Sequence, residues 1–256
     1  MTIDPYEYIP QPSAGVLYEP AARPAARLAG TTAVVIDAIR ATTTIVAALA
    51  AGATEVVAFA TDAEVRAEAA RRPAGSAVTC GERLGRKIEG LDLNNSPSVM
   101  TSEAVGGRSL LLTTTNGVGA ILDAMPADTV LVAALANRRA VARRCADLGR
   151  RIVFVSAGTV GTVSCEDTLV AGAVLEAMTE TPAGAAFTLE DSGLVALAAW
   201  RGAKDRLAET FAATWGGAFT RRLGLHDDLE ACTQVDTTDV VPAARGLPPV
   251  ITAAGE

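Results

Sequence analysis

Asp37-Ala38-Ile39-Arg40-Ala41-Thr42-Thr43-Thr44 puts a carboxylate at the end of an apolar run, a guanidinium three residues on, and three hydroxyls where a helix begins. A carboxylate can hold a divalent cation, a guanidinium can clamp phosphate through two hydrogen bonds, and hydroxyls beside free helix N–H groups form an anion cradle. A helix cap would account for Asp37 and one threonine, but not for an acid and an arginine on one turn. Further on, Cys80 to Pro97 reads CGERLGRKIEGLDLNNSP, with three glycines and six charges, far longer than an ordinary connection of about 4–6 residues. It is either a functional loop, with Lys87 as one of only two lysines, or a solvated excursion with two turns. Thr113-Thr114-Thr115-Asn116-Gly117 fits a second anion nest and, equally, a strand end with a turn and helix cap. In Ser156-Ala157-Gly158-Thr159-Val160-Gly161 and the following Ser164-Cys165-Glu166-Asp167, the spacing of Ser164 and Asp167 is close to a capping box. Glu166 or Asp167 could also reach a metal. Cys80 and Arg86 have the Cys-x5-Arg spacing of a thiolate phosphatase, but Glu82 and Glu89 oppose a thiolate there, so Cys80 reads as a buried structural thiol.

These turns need elements to hold them. Short Val/Ile/Leu runs alternate with Ala-rich stretches of helical period, which predicts a three-layer α/β/α fold with a mostly parallel sheet. Strands are expected near 34–37, 55–59, 77–80, 109–113, 130–133 and 152–156, and helices near 43–51, 62–71, 118–125 and 137–148. From Cys165 to about Gln234 the pattern is helical, with His226-Asp227-Asp228-Leu229-Glu230-Ala231-Cys232 reading as an exposed helix start, and a Pro- and Gly-punctuated tail follows. The expected organisation is one unit spanning 1–256, with room for two similar subdomains at about 30–150 and 151–240. In such sheets ligands bind at the carboxyl ends of the strands, where the helix N-termini favour an anion.

The counts narrow the chemistry. A single histidine, His226, excludes histidine relays and His-rich zinc sites and leaves carboxylates, hydroxyls and arginines. With 22 Lys and Arg against 29 Asp and Glu, the net charge of -7 argues against nucleic acid as a partner. The longest charge-free stretches are 14 residues, short of the roughly 20 that cross a bilayer, so no membrane span is expected. Acids and prolines in MTIDPYEYIPQPSAG argue against a secretory leader, and four scattered cysteines fit a cytoplasmic protein. High apolar content with few aromatics makes a homodimer an expectation as well.

Taken together, VVIDAIRATTTIVAALAAGA, CGERLGRKIEGLDLNNSP, TTTNG and SAGTVGTVSCEDTLVAGAV resemble the ordered motifs of the 2-phosphosulfolactate phosphatase family, over roughly Val34 to Val174. Leu91 and Asn94 stand where that pattern has an aromatic residue and a glycine, departures that could tune the pocket. The resemblance implies a Mg²⁺-dependent hydrolase that converts 2-phosphosulfolactate to sulfolactate in a coenzyme M type pathway. By motif it points to Asp37, Arg40, Thr42 and Thr43, to Glu82, Arg83, Lys87, Asp92, Asn95 and Ser96, to Thr114, Thr115, Asn116 and Gly117, and to Glu166 and Asp167. The expected roles are Mg²⁺ on Asp37, Glu82 and Asp167, and the substrate's phosphate, carboxylate and sulfonate on Arg40, Arg83 and Lys87, with Asp37, Arg40 and Glu82 as the catalytic set. The nucleophile is metal-activated water or Asp37 itself. Alternatives are a phosphatase of another small phosphorylated hydroxy acid and a non-catalytic binder of an anionic metabolite.

Overall fold

The computed structural model describes residues 9–22 and 25–254. Met1 to Tyr8, part of the stretch read as arguing against a secretory leader, therefore lie outside the described residues. Strand β1 (Ser13–Leu17) is followed by β2 (Thr32–Ile36), α1 (Ala41–Ala50), β3 (Glu55–Ala58), α2 (Asp62–Arg71), β4 (Ala77–Arg83) and β5 (Arg86–Lys87). Next come α3 (Ser102–Val105), β6 (Ser109–Thr113), α4 (Gly117–Ala124), β7 (Thr129–Val132), α5 (Arg138–Leu148), β8 (Ile152–Ser156) and α6 (Cys165–Thr179). The chain continues through β9 (Thr188–Leu189), α7 (Asp191–Ala203), α8 (Leu207–Ala213), α9 (Trp215–Arg222), α10 (His226–Cys232), β10 (Pro242–Arg245) and β11 (Val250–Ala253).

Among the described residues, the eleven strands form one sheet in the order β5-β4-β6-β3-β11-β10-β7-β2-β8-β1-β9. β4, β6 and β3 are parallel to one another, as are β7, β2, β8, β1 and β9. The antiparallel hairpin β10–β11 joins the two groups by pairing with β7 on one side and β3 on the other. The central parallel strands β2 (TAVVI), β7 (TVLV) and β8 (IVFVS) are apolar on both faces except at one end, as strands covered on both sides are. In β2, Val34 and Ile36 face a core shared with α5, α6 and α7, whereas Ala33 and Val35 face a second core shared with α1 and α4. Removal of each such large side chain from water contributes about 1.5–3 kcal/mol, and only a three-layer α/β/α arrangement captures it on both sides.

Helix α4 follows β6 yet packs on β2 and β8, and α1 packs on β3, β7 and β10. The sheet thus curves around this helix pair and brings the ends of β4 and β6 opposite those of β2 and β8.

The expected strands and helices between 34 and 156 are present with ends shifted by three residues at most. Three features differ. β4 runs beyond Cys80 to Arg83 and turns into a hairpin with β5, so the long loop begins as sheet. The Pro- and Gly-punctuated tail supplies two strands at the middle of the sheet. β1 and β9 form one edge, a strand pairing that the sequence pattern does not announce. No helix among the described residues is long and apolar enough to cross a membrane.

Candidate active site

In register, Val35 pairs with Val132 and Val155, and Ile36 with Ser156, so β2 and β8 end level with each other. Asp37 emerges from β2 with its backbone N–H bonded to the Thr42 hydroxyl, which itself donates to the Asp37 carbonyl (3.1 and 2.9 Å). Thr43 likewise donates to the Ala38 carbonyl at 2.8 Å. The threonines therefore lock the turn, and neither lines the cavity formed there.

That cavity, about 210 Å³, has a polar floor of Asp37, Arg40, Glu82, Asn95, Glu166 and Asp167. Gly117 opens α4 directly against Asp37: a Cβ there would lie 2.6 Å from the Asp37 carboxylate, so only glycine lets the second helix start come so close. Gly216 in α9 has the same function against Glu166.

Two of the four acids, Glu82 and Asp167, each take three donors that join separate elements. Glu82 receives the backbone N–H groups of Gly85 and Thr115 (both 2.6 Å) and the Thr115 hydroxyl (3.0 Å), and so fastens the β4–β5 hairpin to the β6–α4 turn. Asp167 receives the N–H groups of Ala38 and Gly158 (2.8 and 3.0 Å) and the Ser156 hydroxyl (3.0 Å), and so clamps the ends of β2 and β8 together. Ser164 caps the α6 Asp167 N–H at 3.1 Å, but the Asp167 side chain looks toward the sheet rather than completing a box. Burial, then the like charges of Asp167 and Glu82, push the Asp37 carboxyl well above its usual range. Burial and the neighbouring Glu166 raise Asp167 to about 7, and burial raises Glu166 in spite of hydrogen bonds from its own N–H, Thr214 and Ser164.

Among the residues lining the cavity, Arg40 is the one arginine or lysine. Arg40, which is 5% exposed, bonds through Nη1 to Asp228 and through Nη2 to the Gly85 carbonyl at 3.1 Å. Arg83 does not reach the cavity. Successive strand residues face opposite ways, so with Glu82 pointing in, Arg83 turns out to the Thr113 hydroxyl (3.0 Å) and the Glu82 carbonyl (2.8 Å). Lys87 is exposed and bonds to the Asp92 carbonyl, while Asp92 itself accepts from Thr79. Thr114 caps α4 through the Val118 N–H at 3.0 Å, Ser96 donates to Asp228, and Thr115 and Asn116 line the cavity. Asn95 also lines it, and its Oδ1 is buried without a hydrogen-bond partner. Leu91 packs in the core with Val57, Phe59 and Leu111, and neither it nor Asn94 lines the cavity, so the two departures from the family pattern do not shape it. Cys80 is fully buried, donates to the Asn94 carbonyl, and has its thiol pushed far up by burial. It cannot serve as a ready nucleophile.

Among the described residues no group of three or more His, Cys, Asp or Glu side chains is poised to hold a metal. An oxygen-only donor set of this kind still suits Mg²⁺, which commonly takes one or two carboxylates and completes its shell with water and substrate phosphate.

Several site residues were not anticipated. Asp228, read as part of an exposed helix start, is 1% exposed and accepts from Arg40. It shares the inner face of α10 with Cys232, four residues on and also buried, a spacing that could have signalled its burial. Trp215 and Phe219, stacked at 5.4 Å, form with Leu84 and Val160 an apolar rim around the mouth. Leu84, Val160 and Trp215 are 73, 72 and 61% exposed.

The chain matches the family model described as 2-phosphosulpholactate phosphatase over residues 18–246, well past the Val34 to Val174 stretch carrying the motifs. It is 40% identical to a probable 2-phosphosulfolactate phosphatase of Synechococcus sp. (strain RCC307), over 82% of this chain and 88% of that protein. It is 42% identical to a protein of the same name from Symbiobacterium thermophilum, over 86% of this chain and 93% of that one. A third, from Prochlorococcus marinus, is 38% identical over 82% of this chain and 87% of its own length. Matched along most of its length by model and relatives alike, the chain belongs to the 2-phosphosulfolactate phosphatase family.

Proposed function

We propose that this protein is a Mg²⁺-dependent phosphatase that hydrolyses 2-phosphosulfolactate to sulfolactate and inorganic phosphate, a cytoplasmic step of the coenzyme M type. The observation that carries it is one buried guanidinium among four buried carboxylates at the carboxyl ends of parallel strands, in a chain of this family. Arg40 is the group for the phosphoryl oxygens, and the helix starts at Ala41 and Gly117 add N–H donors and the positive ends of two dipoles. Asp37 leads the set that would hold Mg²⁺, with Asp167 and Glu82 behind it and the unpartnered Oδ1 of Asn95 beside them. When bound, the cation neutralises charge on the transferring phosphoryl group and acidifies water. The apolar rim sheds water from the mouth and strengthens each electrostatic contact inside.

The nucleophile is either a water or the Asp37 carboxylate. Acid quench during turnover followed by borohydride reduction decides between them: Asp37 converted to homoserine supports a phosphorylated aspartate, and phosphate release with no reducible acyl phosphate on the protein at any time supports attack by water. For the function itself, the purified protein is assayed with Mg²⁺ for phosphate release from 2-phosphosulfolactate. Turnover that EDTA abolishes and Mg²⁺ restores is expected, and binding without hydrolysis of any phosphorylated hydroxy acid would overturn the enzyme reading.

One observation favours a second reading. With Arg83 and Lys87 outside the cavity and Ile39, Leu84, Val160 and Trp215 in its wall, the site offers one protein cation and much apolar surface. Another small phosphorylated hydroxy acid with fewer charges fits that lining, and the ratio of kcat/KM between it and 2-phosphosulfolactate ranks the two.

A further inference from the structure

We propose that Asp228 is the positioning residue for Arg40, which makes helix α10, far along the chain from the β2–α1 turn, part of the phosphate-binding machinery. The inference rests on the function proposed above.

Arg40 and Asp228 form an ion pair whose side chains are 4 and 1% exposed. A pair this deep loses about as much in desolvation as it gains in attraction, so stability alone is a weak reason to have it. Its geometry gives a better one. Asp228 Oδ2 accepts from Arg40 Nη1, while Oδ1 accepts from the hydroxyls of Ser96 and Ser98 and from the Ser98 N–H at 3.3 Å. Donors on both oxygens leave the carboxylate no second orientation. Arg40 is held again at Nη2 by the Gly85 carbonyl, and the N–H of Gly85 donates to Glu82, which is tied to Thr115. One chain of contacts therefore runs from α10 through the guanidinium to the hairpin tip and the β6–α4 turn. Two fixed points on a planar group set its plane, and the rest of its five donors are free to be offered to a ligand. Orientation held beforehand is what lets an arginine bind phosphoryl oxygens without a loss of side-chain freedom on each turnover.

Three variants test this, with inorganic phosphate as the probe. Asp228→Glu keeps the charge and displaces the carboxylate by about one methylene. It is expected to melt near wild type while its Ki for inorganic phosphate rises about 10-fold and kcat falls roughly 10- to 100-fold, the usual cost of disturbing an orienting partner. Ser98→Ala removes one of the three donors to Oδ1 and leaves the other two, so both constants should shift in the same direction as in Asp228→Glu by a smaller factor. A folded Asp228→Glu protein with wild-type Ki and kcat/KM overturns the proposal, as does a Ser98→Ala protein that loses more than Asp228→Glu, since that marks Asp228 as a loop tether. If Asp228→Glu does not fold, Arg40→Ala/Asp228→Ala, which removes both buried charges, replaces it. Phosphate binding equal to that of Arg40→Ala alone supports action through Arg40, and a further loss overturns it. Calorimetric phosphate binding keeps the test separate from the enzyme reading, because wild type and variant can be compared even if no substrate is turned over.

Discussion

Helix α6 carries Asp167 in its first turn and Glu176 in its last, both buried. The helix dipole favours a negative charge at the first position and opposes one at the second. Their environments run the other way. Asp167 has no cation against it and lies beside Glu166 and Asp37, and its carboxyl is raised to about 7 by burial and the Glu166 charge. Burial would also raise Glu176, but the Trp200 indole (2.6 Å), Lys204 (3.2 Å) and Arg201 (3.2 Å) outweigh it, and its carboxyl is held below the usual range. Partners, not the dipole, decide the charge state. The fold has completed one acidic cluster and left the other short of positive charge, and a cluster left that way is where a cation and an anionic substrate belong.

The largest effect expected from this contrast is at Asp37. Asp37→Asn should lower kcat/KM by at least about 10³-fold, while the EDTA-treated variant should be more stable than wild type, by an amount on the order of 1 kcal/mol, because one charge leaves a crowded buried site. Urea melts with EDTA and with excess Mg²⁺ check both halves. A variant that is inactive because it is destabilised would break the contrast.

Local pattern carried the site's frame. Asp37 ends an apolar run, Glu82 follows the short strand pattern at 77–80, Asp167 lies in a helix's first turn after a capping serine, and the βα alternation from Val34 to Ser156 is a matter of period and turn residues. What was not legible depends on distant packing. The β10–β11 hairpin is two four-residue strands around Gly-Leu-Pro-Pro, and only its pairing with β7 and β3 gives it a place. Arg83 looked like a phosphate ligand by charge, yet strand parity turns it away once Glu82 points inward. Asp228 looked solvated because nothing local shows that Ser96, Ser98 and Arg40 lie over α10.

A smaller effect is expected at the completed cluster. Glu176→Gln keeps an acceptor for the Trp200 indole but removes the charge facing Arg201 and Lys204, which are 58 and 39% exposed and so partly compensated by water. Stability should fall by about 1 kcal/mol, with kcat/KM within about twofold of wild type and no change in the response to Mg²⁺. A large loss of turnover without a matching loss of stability would show that the two ends of α6 are not separate.

The smallest effect is the pH dependence, and its sign differs between the ends. The folded value of Asp167, about 7, exceeds its ordinary value of 3.8, so between these the metal-free folded protein holds more protons than the unfolded chain. Its contribution therefore declines as pH rises from about 4 to 7. Glu176 is held below 4.5, the unfolded chain binds more protons there, and its contribution is present above that value and lost as pH falls through the folded one. Urea melts of wild type and Glu176→Gln from pH 3 to 8 should show the difference between them shrinking below about pH 4.5. With wild type alone, a bound cation opposes proton uptake at the uncompensated end, so the stability gap between Mg²⁺-loaded and EDTA-treated protein should widen as pH rises from 5 to 7. A gap constant with pH would mean that Asp167 is charged in the folded protein with or without a cation, and α6 would then treat its two acids alike.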